Sequence, residues 1–280
     1  MVRLSFTMLL LCSSLALFAQ EFPLEVSFSA GMAKPQGAYK EIGPNWQEPA
    51  YRRTWFAYDN LGKRNHGAAE SGSYFSLDIT YQLKAPLGIW TGYFYSQNSF
   101  DEQGFASNIN DRDQGLLFSR NIPESPFILS SELRGRQATY SHPDYQVHSF
   151  LVGYTLAYQL AGFLELSWKQ GLGIGSIGGL EYELTIPTSP AKGFSHTLNG
   201  SNPSSLMLFF GGKLGFKISK QAELGLNTSF LYGNFQYNQK ITFSDQINST
   251  SITDSINFRN LNLGVSLLIR MKSLQKKSDS

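Results

Sequence analysis

The sequence predicts an all-β fold: an eight-stranded antiparallel up-and-down transmembrane β-barrel, with ten strands as the fallback. Three observations lead there. Between residues 147 and 271 apolar side chains recur at every second position in segments of about a dozen residues, which places them on one face of a strand. The connections alternate between about three residues and several times that length, the division between periplasmic turns and extracellular loops of an outer-membrane barrel. The chain also opens on a secretory pattern.

That opening comes first in chain order. Met1 to Arg3 is positive, residues 4–18 are almost wholly apolar, and Phe18-Ala19-Gln20 offers a small residue for cleavage. The run is too short and too terminal for a membrane helix, so residues 1–20 are expected to be a cleaved signal peptide. Cys12, the only cysteine, leaves with it, and Leu11 is bulky where a lipoprotein site needs a small residue. The mature chain therefore has no disulfide framework and no thiolate chemistry.

The first strand, about residues 23–33, carries Leu24, Val26, Phe28, Ala30 and Met32 on its apolar face. A loop from Lys34 to Gly72 follows. The second strand, 73–84, alternates Phe75, Leu77, Ile79, Tyr81 and Leu83 against Ser76, Asp78, Thr80, Gln82 and Lys84. Ala85 and Pro86 turn into the third, 87–98, whose phase stays open: either Ile89 and Tyr93 or Trp90 and Phe94 face outward. The longest connection, 99–146, carries mildly apolar stretches at 116–118 and 127–133, expected to form a hairpin above the lipid because the first is too short to span. The fourth strand, 147–160, turns at Ala161-Gly162 into the fifth, 163–177. A loop from Gly178 to Pro203 leads to the sixth, 204–218, and Ser219 to Gln221 turns it into the seventh, 222–237. The eighth, 257–271, shows Leu261, Leu263, Val265, Leu267, Ile269 and Met271 in alternation. Residues 21–271 form the barrel, and 272–280 are expected to be a basic periplasmic tail.

Alternation does not say which face is outside. A lipocalin-like barrel turns its apolar face inward around a ligand. Here the polar face is rich in charge and glycine, the strands are long and the loops lopsided, which favours apolar side chains on lipid. Charges inside so narrow a cylinder must find partners. The turn at 219–221 sets Lys217 opposite Glu223, Glu165 falls at the depth of Lys217, and closure of the last strand on the first matches Glu25 with Arg270. These five residues are the expected interior network, at the periplasmic end.

Mean hydropathy is −0.21, and no later apolar run is long enough for a spanning helix, but alternating strands escape a hydropathy window. The 14 tyrosines and 21 phenylalanines fit aromatic belts at two interfaces. A net charge of +2 gives no footprint for nucleic acid. Gly173 to Gly178 reads GIGSIG, matching a dinucleotide fingerprint, but no helix can follow through Pro187 and Pro190. Gly171, Gly173 and Gly175 instead make room for neighbours such as Met207 and Phe209. His66, His142, His148 and His196 lie in loops or at a strand end without metal-ligand spacing and are expected to be solvated. Asp111 to Gly115, a fragment of a calcium loop, lacks the later oxygen ligands and reads as a charged loop tip. The sequence assigns no catalytic, cofactor-binding or metal-binding residue.

The strands FFGGKLGFKIS, AELGLNTSFLYG and LNLGVSLLIR, with the Ala-Gln ending of the leader, resemble those of the small outer-membrane β-barrel proteins of the Bacteroidota. More loosely, they are similar to eight-stranded barrels of other Gram-negative bacteria. The resemblance implies a porin-like cell-envelope protein and carries no catalytic or ligand motif. The tail from Lys272 to Ser280 departs from the family habit of ending on an aromatic residue. The expected function is a non-enzymatic outer-membrane barrel anchoring surface loops that mediate binding or envelope integrity, with the loop aromatics Trp46, Trp55, Phe56, Tyr58 and Tyr140 contacting a surface or envelope protein partner. Outer-membrane lipid and lipopolysaccharide would surround it. A narrow passive channel and a lipid-A-modifying enzyme are the alternatives.

Overall fold

The computed structural model describes residues 24–41, 67–104, 139–185, 193–198, 202–243 and 249–271. Among these residues eleven strands appear in the order β1 (Leu24–Pro35), β2 (Gly72–Lys84), β3 (Leu87–Asn98), β4 (Thr139–Ser141), β5 (Tyr145–Ala161), β6 (Leu164–Gly178), β7 (Tyr182–Thr185), β8 (Gly193–Leu198), β9 (Ser204–Lys217), β10 (Ala222–Phe243) and β11 (Ser249–Met271). A 3-10 turn, Gly37–Tyr39, follows β1.

Eight of these strands close a barrel in the cyclic order β1-β2-β3-β5-β6-β9-β10-β11, every pairing antiparallel. Closure is made by β1 on β11, from Leu24↔Met271 to Pro35↔Asn260. A closed sheet leaves no unpaired edge along its length, which lets its outside face an environment that cannot hydrogen-bond. The side chains divide as the charge pattern predicts. Phe28, Ile79, Phe150, Val152, Leu206, Leu226, Val265 and Ile269 are exposed outside, while Glu25, Ser27, Asp78, Thr80, Ser167, Glu223 and Ser266 are buried within. The apolar rows therefore do not surround a central cavity as in a lipocalin. The same division resolves β3: Trp90 and Phe94 point inward, and Ile89 points out.

Among the described residues Trp90 is the largest buried side chain, at 1% exposure. Its indole Nε1 donates to the backbone carbonyls of Tyr154 at 3.0 Å and Gln170 at 3.1 Å, so a bulky aromatic enters the lumen without an unsatisfied donor. Phe94 and Phe209 pack 4.8 Å apart, and Phe209 lies 5.0 Å from Trp90. Two glycines make room for bulky lumen side chains. A Cβ at Gly171 would lie 2.6 Å from Trp90 Cζ2, and one at Gly175 would lie 2.8 Å from Met207 Cγ. The GIGSIG segment is thus part of β6, with Gly171 serving Trp90 rather than Phe209.

The expected boundaries depart from the structure on the loop side. The loop placed at 178–203 contains β7 and β8, β4 lies in the connection placed at 99–146, and the seventh and eighth strands run on to Phe243 and back to Ser249. β8 pairs with the upper part of β10, β7 with β8, and β4 with β7, so the barrel wall continues upward on one side as a partial sheet. The physical reason is an inversion of phase. Along β10 the apolar side chains Leu224, Leu226 and Phe230 face out, whereas Leu231, Phe235 and Tyr237 face in, while Asn234 and Gln236 take over the outside. On β11 Ile256 and Phe258 face in before Leu263 and Val265 face out. Alternation persists as its sign reverses, and a search for one continuous apolar row stops at the reversal. The hairpin expected at 116–133 lies outside the described residues.

Replacing Phe209 with Ala removes the ring that joins Trp90 to Phe94. The expected cost is about 3–5 kcal/mol of folding free energy, read from urea unfolding of the barrel in detergent micelles or vesicles.

Candidate functional site

The most concentrated chemistry lies inside the barrel at the end of the short turns. β11 delivers Arg270, whose Nε donates to Glu25 Oε1 on β1 at 2.8 Å. Its Nη2 donates to Glu165 Oε2 on β6 and Glu223 Oε2 on β10, both at 2.9 Å. One planar guanidinium therefore meets carboxylates from three strands, a use of its fixed fork that an ammonium cannot reproduce. Lys213 stands 2.6 Å from Glu223, and Lys217 stands 3.7 Å from Glu165. Gln82 donates to Glu25 Oε2 at 3.2 Å. Three glutamates face three cations, so the cluster is neutral, which is what a narrow lumen requires.

The five residues expected to meet there do lie at one end of the lumen, with one pairing changed. Glu25 and Arg270 are register partners and bond directly. Glu223 and Lys217 are also register partners, yet Glu223 bonds Lys213 and Arg270 instead. Glu165 is paired in register with Gly215 rather than Lys217, and reaches Lys217 across that offset. Glycine explains the shift. The Glu223 carboxylate lies over Gly215, where an added Cβ would collide with its Oε1, and so leans toward Lys213. Lys217 turns to Gln159 Oε1. Lys213 is not among the expected residues. Its signal is the gap beside it: Gly211 and Gly215 flank it on the inward face, and side chains lean into the space glycines leave.

Above this cluster Lys169 pairs with Asp78 and stands 5.5 Å from the Trp90 ring. A cavity of about 40 Å³, lined by Ser27, Ser29, Ser76, Asp78, Lys169 and Asn227 among others, lies in the lumen. That is room for a few waters and nothing larger. Tyr74 donates to Asn227 Oδ1 at 2.6 Å. The loop side is closed by aromatic packing. Tyr39, fully buried, lies 5.0 Å from Phe258 and 5.5 Å from Tyr145, and burial raises its hydroxyl pKa well above the ordinary phenol value. The Tyr145 hydroxyl donates to Gly67 O at 2.8 Å.

His142 corrects an expectation: it is buried, stacked on Phe100 at 4.2 Å, because the segment before β5 folds over the lumen rather than into solvent. His148 lies on the outer face of β5, with Nδ1 2.7 Å from the Tyr93 hydroxyl. His196 lies on β8, and His66 and the Asp111–Gly115 segment are outside the described residues. Among the expected loop contacts, Tyr140 lies on β4 opposite Leu184. Trp46, Trp55, Phe56 and Tyr58 are outside the described residues.

No protein-family model matches the chain, and no curated protein matches it. Among solved structures its fold is similar to the outer membrane protease OmpT from Escherichia coli, with TM-score 0.48 and 12% identity over 90% of this chain and 98% of the other. It is also similar to the outer membrane protein OprG from Pseudomonas aeruginosa, with TM-score 0.44 and 11% identity over 89% and 97%. A major outer membrane protein from Thermus thermophilus gives TM-score 0.44 and 11% identity over 90% and 100%. All three are outer membrane proteins.

Arg270→Met leaves three carboxylates in the lumen without their shared cation, and an uncompensated buried charge costs about 3–5 kcal/mol. Glu25→Gln is expected to cost less, since Glu165 and Glu223 still hold the guanidinium. Equilibrium unfolding of both variants checks the order.

Proposed function

We propose that this chain is an outer-membrane β-barrel that conducts nothing in bulk and catalyses nothing. It serves as a sealed anchor for the wall and loops on its long-loop side, which engage a surface or envelope protein partner. Residues 1–20 act as the cleaved leader, and 272–280 as a periplasmic tail. Outer-membrane lipid and lipopolysaccharide surround the barrel.

The observation that carries this reading is the pairing of an apolar exterior with a filled interior. Along β11 the outward row from Met271 to Leu261 is wholly apolar and gives way to Arg259 and Asn257. At roughly 3.3 Å per residue and a tilt near 40°, that row stands roughly 25 Å tall, the height of the apolar band on an outer-membrane barrel. Inside, the Arg270 cluster, the Asp78–Lys169 pair and the Trp90–Phe94–Phe209 packing occupy successive levels of the lumen. A passive channel needs a continuous aqueous path, which these side chains interrupt. The loop side supports a binding role because the wall rises there beyond the apolar rows, carried by β4, β7, β8 and the extended β10–β11 hairpin.

Two measurements test the reading. In planar bilayers the purified barrel is expected to give no resolved conductance steps, and regular steps would establish the channel instead. Mass spectrometry of lipid A from cells with and without the protein is expected to give identical spectra, and a difference would establish a lipid-modifying enzyme.

The orientation makes a further prediction. Leu226, 58% exposed near the middle of its outward row, is expected to cost about 2–4 kcal/mol when replaced by Arg in a lipid bilayer. Heat-modifiable gel migration and urea unfolding in vesicles read the loss.

A further inference from the structure

On the outer wall the apolar rows of three adjacent strands end together. β1 presents Met32 and then Lys34, β11 presents Leu263 and Leu261 and then Arg259, and β10 presents Phe230 and Tyr232 and then Asn234. Register sets Lys34 opposite Leu261 and Arg259 opposite Tyr232. Gln36 N donates to Arg259 O at 2.9 Å, tying the two strands just above Lys34. Two cations on neighbouring strands therefore stand at the upper border of the apolar surface.

Arg259 is fixed but not satisfied. Its guanidinium carbon lies 5.5 Å from the centre of the Tyr232 ring, an attractive cation–π arrangement that holds the side chain against the wall. Its Nε is buried and has no hydrogen-bond partner. Among the described residues neither the Arg259 guanidinium nor the Lys34 ammonium has an acid beside it. Snorkelling of a long cation to the water accounts for an exposed lysine at this level. A guanidinium packed on an aromatic ring is held more firmly than a freely snorkelling side chain, and with its Nε buried against the wall its Nη donors are the ones a ligand can meet.

We propose that Lys34 and Arg259 form a binding site for the phosphate group of a lipid in the leaflet on the long-loop side. The inference rests on the membrane reading given above. A phosphate presents several acceptor oxygens in a compact group, which suits the planar donor fork of arginine with a lysine as second charge. Tyr232 holds the guanidinium against the wall. The site's position selects a lipid over a soluble anion: a headgroup bound there lays its acyl chains down the outward row of Met32, Leu261, Leu263 and Phe230, directly below.

Native mass spectrometry of the full purified barrel in mild detergent tests the site with three probes: lipid A bearing phosphate monoesters, the same lipid dephosphorylated, and inorganic phosphate. The expected result is retention of the phosphorylated lipid about tenfold or more above the dephosphorylated one, since charge-assisted hydrogen bonds are lost with the phosphate. K34Q/R259Q is expected to erase the difference, and R259K to lose part of it, keeping charge without the fork. Equal retention of the two lipids, or undiminished retention by the double variant, overturns the proposal. Binding of inorganic phosphate as tight as that of the lipid overturns the lipid as its source. Heat-modifiable migration and insertion into vesicles, measured on the same samples, separate the outcomes. Both substitutions lie outside the lumen and are expected to leave the folded barrel intact, whereas a wild-type chain that fails to insert refutes the membrane reading itself.

Discussion

A charge inside an eight-stranded barrel has no bulk water to retreat to, and Arg270 shows how that constraint organises the chain. Its guanidinium bonds carboxylates on β1, β6 and β10. Two of those strands flank β11 in the sheet, and the third faces it across the lumen. The contact therefore joins the first strand to the last and braces the cylinder from within. Remove any one carboxylate and the remainder still compensate Arg270; remove Arg270 and three carboxylates are left with two lysines, a net negative charge in a narrow space. Lys213 and Lys217 bring the cluster to neutrality, and Gln82 takes up a remaining acceptor on Glu25.

The exterior follows from the same division. Because the charges neutralise one another inside, the outside of the wall is free to be apolar over the full height of a row such as Met271 to Leu261. Higher up, the inward side chains of β10 and β11 become Phe235, Tyr237, Ile256 and Phe258, and the outward ones become polar. One pair of strands thus changes environment along its length, apolar-out in the lower part and apolar-in above. Lys34, Arg259 and Tyr232 mark the level of the change.

This reversal also explains what is legible in the sequence. Within the apolar band the two-residue period is unopposed, so it bounds β2, β3 and β6 to within a residue or so. Above it the inward row carries the apolar signal, and the outward period stops six residues short of Phe243 on β10 and eight short of Ser249 on β11. β4, β7 and β8 are too short to carry a period at all. In the interior, register alone brings Glu25 to Arg270, because that pair depends only on backbone pairing. The choice of Lys213 over Lys217 by Glu223 depends on the space above Gly215, a volume that a one-dimensional pattern of charges does not display. Ile89 and Trp90 of β3 are both large and apolar, so periodicity gives no phase. The indole's two backbone acceptors inside the wall decide it.

Everything in this account turns on which side of the wall meets lipid. Two tryptophans report on the two sides: Trp168, 46% exposed on the outer face of β6, and Trp90, 1% exposed in the lumen. In single-tryptophan variants reconstituted into vesicles whose acyl chains carry bromine, Trp168 fluorescence is expected to be strongly quenched and Trp90 fluorescence spared. Quenching of Trp90 with sparing of Trp168 would place the charged face against the membrane and contradict the architecture, the sealed lumen and the proposed role together.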